Sequence, residues 1–143
     1  MNEAKVHEIS QWLIKARHDL RSARRLFSDE PPILDTAAYH CQQAAEKALK
    51  AFLILHDISF PKTHLLLLLV EQCMDVDKNF EDLREAAEAL TPFATEFRYP
   101  GDVLEPEPSD VEEGIEFAEK VVEFVLDKMP NVVERERDNS AGK

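Results

Sequence analysis

The sequence predicts an all-α protein, an up-and-down antiparallel bundle of about five helices. Three observations lead there. Long stretches carry apolar residues at alternating steps of three and four, the spacing that gathers side chains on one face of a helix. Gly occurs only 3 times in 143 residues, which disfavours a loop-rich β protein. No stretch reads convincingly as a strand.

The first helix is expected from about Glu3 to Phe27. Val6, Ile9, Leu13, Ala16, Leu20, Ala23 and Phe27 form an unbroken seam, the pattern of a bundle helix. Trp12 lies beside that seam. Arg17, Arg21 and Arg24 share another face, with Lys15 and Arg25 nearby. That face is either solvated, or paired with acids of a neighbouring helix, or a patch for an anion or partner. Ser28-Asp29-Glu30-Pro31-Pro32 ends the helix, because proline removes a donor and pushes the residue before it out of the α region.

The second helix, from Asp35 to His56, organises the chain. Asp35 is expected to cap it. Ala38, Cys41, Ala45, Ala48, Phe52 and Leu55 form its stripe, widened by Leu49 and Leu53. The alanines leave room for close neighbours. A polar edge of His40, Gln43, Lys47 and Lys50 runs alongside. Glu46 and Lys50 there read as an exposed i,i+4 pair worth about 0.2–0.5 kcal/mol.

After the connector Asp57–Lys62, a short third helix is expected to begin at Thr63 or His64 and end near Met74. Leu65 to Val70 is apolar all round, so burial on most sides is expected. A fourth helix should start near Lys78 or Asn79, with Phe80, Leu83, Ala87, Leu90, Ala94 and Phe97 as its seam. The phase survives Pro92, which predicts a kink or two collinear helices. This helix should close at Arg98-Tyr99-Pro100-Gly101-Asp102. Val103 to Pro108 reads as a linker. Ser109-Asp110-Val111-Glu112 has the form of a capping box, opening a fifth helix that runs to about Lys128 with an acidic outer face. Residues 1–129 would then be one bundle and 130–143 a polar tail.

The net charge is −12, which argues against sequence-independent grip on a nucleic-acid backbone. The charge is unevenly spread. The first 62 residues carry nine Lys and Arg against eight acids, and the remainder eight against twenty-one. Cys41 and Cys73 stand in no CxxC, which suits reduced, buried thiols and a cytoplasmic protein. No signal peptide is expected, and the longest apolar run, Leu65 to Val70, is far short of the ~20 residues that cross a bilayer. No membrane partner is therefore expected.

No P-loop, GxGxxG, HExxH or Glu-x-x-His pattern is present, so neither a metal nor a cofactor is expected. Two places look over-specified for packing. Lys62-Thr63-His64 sits where a helix N-terminus would favour an anion. Arg98-Tyr99-Pro100 fixes a cation and a phenol at a helix end.

These segments also carry a family likeness. Tyr39-His40-Cys41-Gln42-Gln43-Ala44-Ala45-Glu46-Lys47-Ala48-Leu49-Lys50-Ala51, Lys62-Thr63-His64-Leu65-Leu66 and Arg98-Tyr99-Pro100 together resemble the HEPN domain, over roughly residues 6–128. The resemblance implies a dimerising helical bundle. It also implies partnership with a minimal nucleotidyltransferase, often as a toxin–antitoxin pair, and a nucleotide ligand. Many members are metal-independent ribonucleases with Arg and His separated by four to six residues. Here the positions after Arg98 are Val103, Leu104 and Glu105, and no other Arg is followed by His at that spacing. The expectation is thus a non-catalytic, homodimeric binding module, not an enzyme. Its nucleotide, phosphate or RNA ligand would meet Arg98 and Tyr99, with Lys47 and His64. The alternative is a degenerate ribonuclease toxin, with His64 or His40 standing in for the missing imidazole.

Overall fold

The computed structural model describes residues 2–97, 100 and 105–132. Among the described residues the bundle is built of α1 (Glu3–Ser28), α2 (Leu34–Leu55), α3 (Leu66–Met74), α4 (Arg84–Leu90) and α5 (Pro108–Asp127), with a further helical turn at 130–132. Among the described residues there is no strand. The all-α expectation holds, and the predicted seams are the core. Val6, Ile9, Leu13, Ala16, Leu20 and Ala23 of α1 are buried, as are Val111, Ile115, Ala118, Val122 and Val125 of α5.

α2 is the axis of the bundle. It touches α1, α3, α4 and α5. Ala37, Ala38, Ala44, Ala45, Ala48 and Ala51 are fully covered, because a methyl side chain lets neighbouring backbones come close. At its lower end Phe52, Phe80 and Phe124 stack in series, with centroids 4.4 and 4.9 Å apart. They join α2, the segment before α4, and α5. Past that end Asp57 adopts φ 56°. There Asp57 N–H reaches Ile54 O and Ile58 N–H reaches Leu53 O, a Schellman closure that satisfies two end carbonyls.

Helix ends differ from expectation. Ile33, not Asp35, is the residue before α2, and it makes no side-chain cap; the Asp35 carboxylate instead accepts from the adjacent Thr36 N–H. α3 starts at Leu66 rather than at Thr63 or His64. The Thr63 hydroxyl takes the Leu65 N–H in a tight turn, which stops the helix from beginning earlier. Nor is α3 covered on most sides: Leu66, Leu69, Val70 and Cys73 are buried while Leu65 and Leu68 are exposed. The fourth helix is three contiguous pieces: a 3-10 turn Lys78–Leu83, α4, and a 3-10 turn Thr91–Ala94 holding Pro92. Proline's missing N–H ends the α-helical ladder, and the Thr91 hydroxyl donates to the Ala87 carbonyl there. α5 begins at Pro108, a favoured first position. Its reciprocal cap is formed by Glu107 and Asp110, not by Ser109 and Glu112. Gly114 lies under the Phe93 ring, where a Cβ would stand 2.7 Å from Cε2. Val132, beyond Pro130, is buried in the core.

Candidate functional site

Four groups were expected at the site. Arg98 and Tyr99 lie outside the described residues. Lys47 and His64 are described, and they belong to two different charged clusters on adjacent sides of α2.

The first cluster is buried. Glu46 and Lys50 are a sealed pair rather than an exposed one, 6% and 8% exposed. Lys50 Nζ donates to Glu46 Oε2 at 3.1 Å, and the other carboxylate oxygen meets His64 Nδ1 at 2.9 Å and the Gln42 amide at 3.1 Å. Gln43 in turn donates to Gln42. Trp12 and Phe60 close over the ammonium, with ring centroids 6.0 and 5.3 Å from Nζ. Burial pushes the Glu46 carboxyl up, but the bonds from His64, Gln42 and Lys50 outweigh it and hold it below its ordinary value. Glu46 therefore holds His64 at Nδ1. The α3 terminus expected to hold an anion is also satisfied from within, because the Leu66 N–H donates to the Thr91 hydroxyl. This cluster ties α1, α2 and the connector before α3 together.

The second cluster opens on a cleft. Asp19, on α1, is 7% exposed. One of its oxygens meets His40 Nδ1 at 2.7 Å and the other takes Lys47 Nζ at 2.5 Å. Burial raises the Asp19 carboxyl; the bonds and charges of His40 and Lys47 more than reverse this, so it lies below its ordinary 3.8. His40 is thus fixed by a carboxylate at one nitrogen. Its ring lines a cleft of about 630 Å³ with His18, Arg21, Ser22, Arg25, Leu26 and Thr36. A smaller hollow of about 270 Å³, lined by Asp35, Thr36, Tyr39 and His40, adjoins it.

The α1 arginines divide in use. Arg24 is paired with Glu119 of α5, Nη2 to Oε1 at 2.8 Å. Arg21 and Arg25 face the cleft with no counter-ion among the described residues. Guanidinium stays charged at every accessible pH, so the cleft is a fixed positive region on an acidic molecule. It can bind an anion, with the His40 ring beside it. No group of three or more metal-ligating side chains exists among the described residues.

Sequence reasoning did not reach Asp19. Its one signal is position: it lies three residues after Ala16 and just before Leu20, at the edge of a buried seam. His40 and Lys47 were visible as one polar edge, but not that a carboxylate on another helix joins them.

The family model for the HEPN domain matches residues 9–129. Two crystal structures are similar. One is TT1696 from Thermus thermophilus, 30% identical, with a TM-score of 0.74 over 85% of this chain and 98% of that one. The other is ST0689, described as an archaeal HEPN homologue, 26% identical, with a TM-score of 0.66 over 84% of this chain and 96% of that one. No curated protein matches the sequence.

Proposed function

The chain belongs to the HEPN domain family, and from that premise we propose that it is a non-catalytic binding module. In this reading it is a cytoplasmic homodimer that takes a nucleotide or other phosphate-bearing ligand and partners a minimal nucleotidyltransferase, as in a toxin–antitoxin pair. The observation that supports the reading is the pair Arg21 and Arg25, without a counter-ion among the described residues, in a cleft on a chain of net charge −12. Such guanidiniums suit phosphate oxygens, which they engage through two parallel N–H bonds. Arg98 and Tyr99 keep their proposed place as ligand contacts. Lys47 acts indirectly, holding Asp19, which holds His40. His64 serves the fold.

Titration calorimetry with ATP and with short RNAs tests the ligand, and co-purification with a minimal nucleotidyltransferase tests the partner. Binding that weakens in Arg21→Ala, Arg25→Ala and Arg98→Ala is expected. Loss of the reading follows if neither ligand binds and Arg98→Ala leaves partner capture unchanged.

One observation favours the alternative, a ribonuclease lacking the usual spaced Arg and His. Asp19 occupies Nδ1 of His40, which leaves Nε2 as the ring's second nitrogen in a cleft with two arginines. A carboxylate-oriented imidazole next to a phosphate site is a competent proton-transfer group. Incubation with tRNA and mRNA at neutral pH decides between them. Cleavage that disappears in His40→Ala would replace the binding-module reading.

A further inference from the structure

A second hollow lies along the seam between α1 and α2, displaced from the cleft toward the α1 N-terminus. Gln11, Trp12, Lys15 and Lys47 line it, its volume is about 210 Å³, and its lining is almost wholly carbon. None of these residues lines the cleft. Trp12 is half-buried. Lys50 Nζ lies over its ring and Phe60 meets it edge-on, with centroids 6.4 Å apart, so the indole is fixed before any guest arrives. Lys47 has its ammonium on Asp19, which leaves its methylenes to border the hollow. Lys15 is exposed and has no ion pair among the described residues. Glu8, exposed one turn before Trp12, is the next acid toward the start of α1.

Size and charge narrow the guest. Small-molecule sites run to ~300–1,000 Å³, so this hollow takes one large side chain rather than a whole ligand. A carbon lining beside a fixed tryptophan suits an apolar or aromatic side chain, the kind of anchor in which protein interfaces concentrate their energy. The charge left over at its rim is the Lys15 ammonium, and the helix stays basic beyond it through Arg21 and Arg25. That side of the hollow favours carboxylates, and the Glu8 side repels them. A polypeptide can carry its acids on one side of an apolar residue. A nucleic-acid strand carries a phosphate on both sides of each internal base, and one of the two would be driven toward Glu8.

We propose that this hollow docks an acidic segment of another protein. One large apolar side chain of that segment rests on Trp12, and the carboxylates that follow it lie against Lys15, away from Glu8. The docking uses none of the residues that line the phosphate cleft, so either reading can fail alone.

Trp12 is the only tryptophan in the chain, so its fluorescence reports on the hollow directly. The full chain is titrated with a synthetic peptide in which one phenylalanine is followed by a run of acids. Controls are the same peptide with alanine for the phenylalanine, the same peptide with lysines for the acids, and a short oligouridylate. The phenylalanine–acid peptide should move the emission to the blue. Alanine in place of its phenylalanine should weaken binding about tenfold, and the lysine peptide should not bind. Gln11→Phe, which fills the hollow, and Lys15→Glu, which reverses its rim, should each weaken the peptide about tenfold. Gln11 and Lys15 are exposed, so both variants should melt like the parent, which circular dichroism checks. An emission unmoved by the phenylalanine peptide, equal binding of the alanine peptide, or binding untouched by both substitutions would overturn the inference. So would a stronger response to the oligouridylate, which would make the hollow a base-stacking surface. An emission that shifts with the concentration of the protein alone would seat a second copy there and overturn it as well.

Discussion

Replacing Glu46 by Leu strands the Lys50 ammonium inside the protein. Both side chains are nearly sealed, 8% and 10% exposed. Removing one member of a buried pair costs about 3–5 kcal/mol, mostly because the survivor is left uncompensated. The Trp12 and Phe60 rings return part of that, about 0.5–1 kcal/mol for each cation–π contact. The expected net loss is about 1–4 kcal/mol. At about 3 °C per kcal/mol for a chain of this size, Tm should fall by about 3–12 °C. Lys50→Met should cost less, about 1–2 kcal/mol, because the carboxylate keeps His64 and Gln42. The double variant Glu46→Leu/Lys50→Met leaves an apolar pair and should be more stable than Glu46→Leu alone. Urea unfolding and thermal melts at pH 7, followed by circular dichroism, give the cycle. A Glu46→Leu variant within about 1 kcal/mol of the parent, or a double variant losing the full sum of the singles, would refute the coupling.

Three further outcomes follow from the structure. The Asp19 carboxyl is held below its ordinary 3.8 in the folded state, so its stabilisation is complete above that value and is lost as pH falls through the folded one. Asp19→Asn should therefore shrink the loss of stability on acidification below about pH 4, measured by urea titrations from pH 7 to pH 2. Burial pushes both the Cys41 and Cys73 thiols up to about 12, with Glu119 adding to the shift at Cys41. Neither should react with a thiol reagent at pH 8 until denaturant is added, which an absorbance assay reads directly. Asp57→Val should lose about 1–2 kcal/mol, since a β-branched residue resists φ 56°. Asp57→Gly should stay within about 1 kcal/mol of the parent, because the exposed Lys5 ion pair it gives up is weak.

The fold was legible wherever a single helix decides its own buried face. Val6 to Ala23 in α1 and Val111 to Val125 in α5 read inward at steps of three and four, and so they lie. Helix starts were legible to within a few residues, because several side chains compete to satisfy the same N–H groups. Ser109 looked like the cap of α5, but Pro108 fits the first turn better and shifts the cap to Glu107. The site was less legible because its environment is non-local. Glu46 and Lys50 have the same spacing whether exposed or sealed, and it is Trp12 on α1 and Phe60 on the connector that seal them. The basic face of α1 was legible as a pattern. Which arginine is neutralised depends on α5, where Glu119 meets Arg24 and leaves Arg21 and Arg25 for the cleft. Arg98 and Tyr99, the residues the family likeness brought forward, lie outside the described residues.

The alanine-rich α2 has neighbours on nearly every side. Backbone enclosed in this way opens only when the whole molecule unfolds, so its amides should exchange with solvent more slowly than those of α3 or the 3-10 turns. His40 and Lys47 are mounted on that rigid strut, and Asp19 grips it from α1. Across the cleft, Arg21 and Arg25 are long, exposed and without an ion-pair partner among the described residues. A guest would thus meet one stationary wall and one adaptable wall, and its arrival would register as quenched arginine rotamers rather than as movement of a helix.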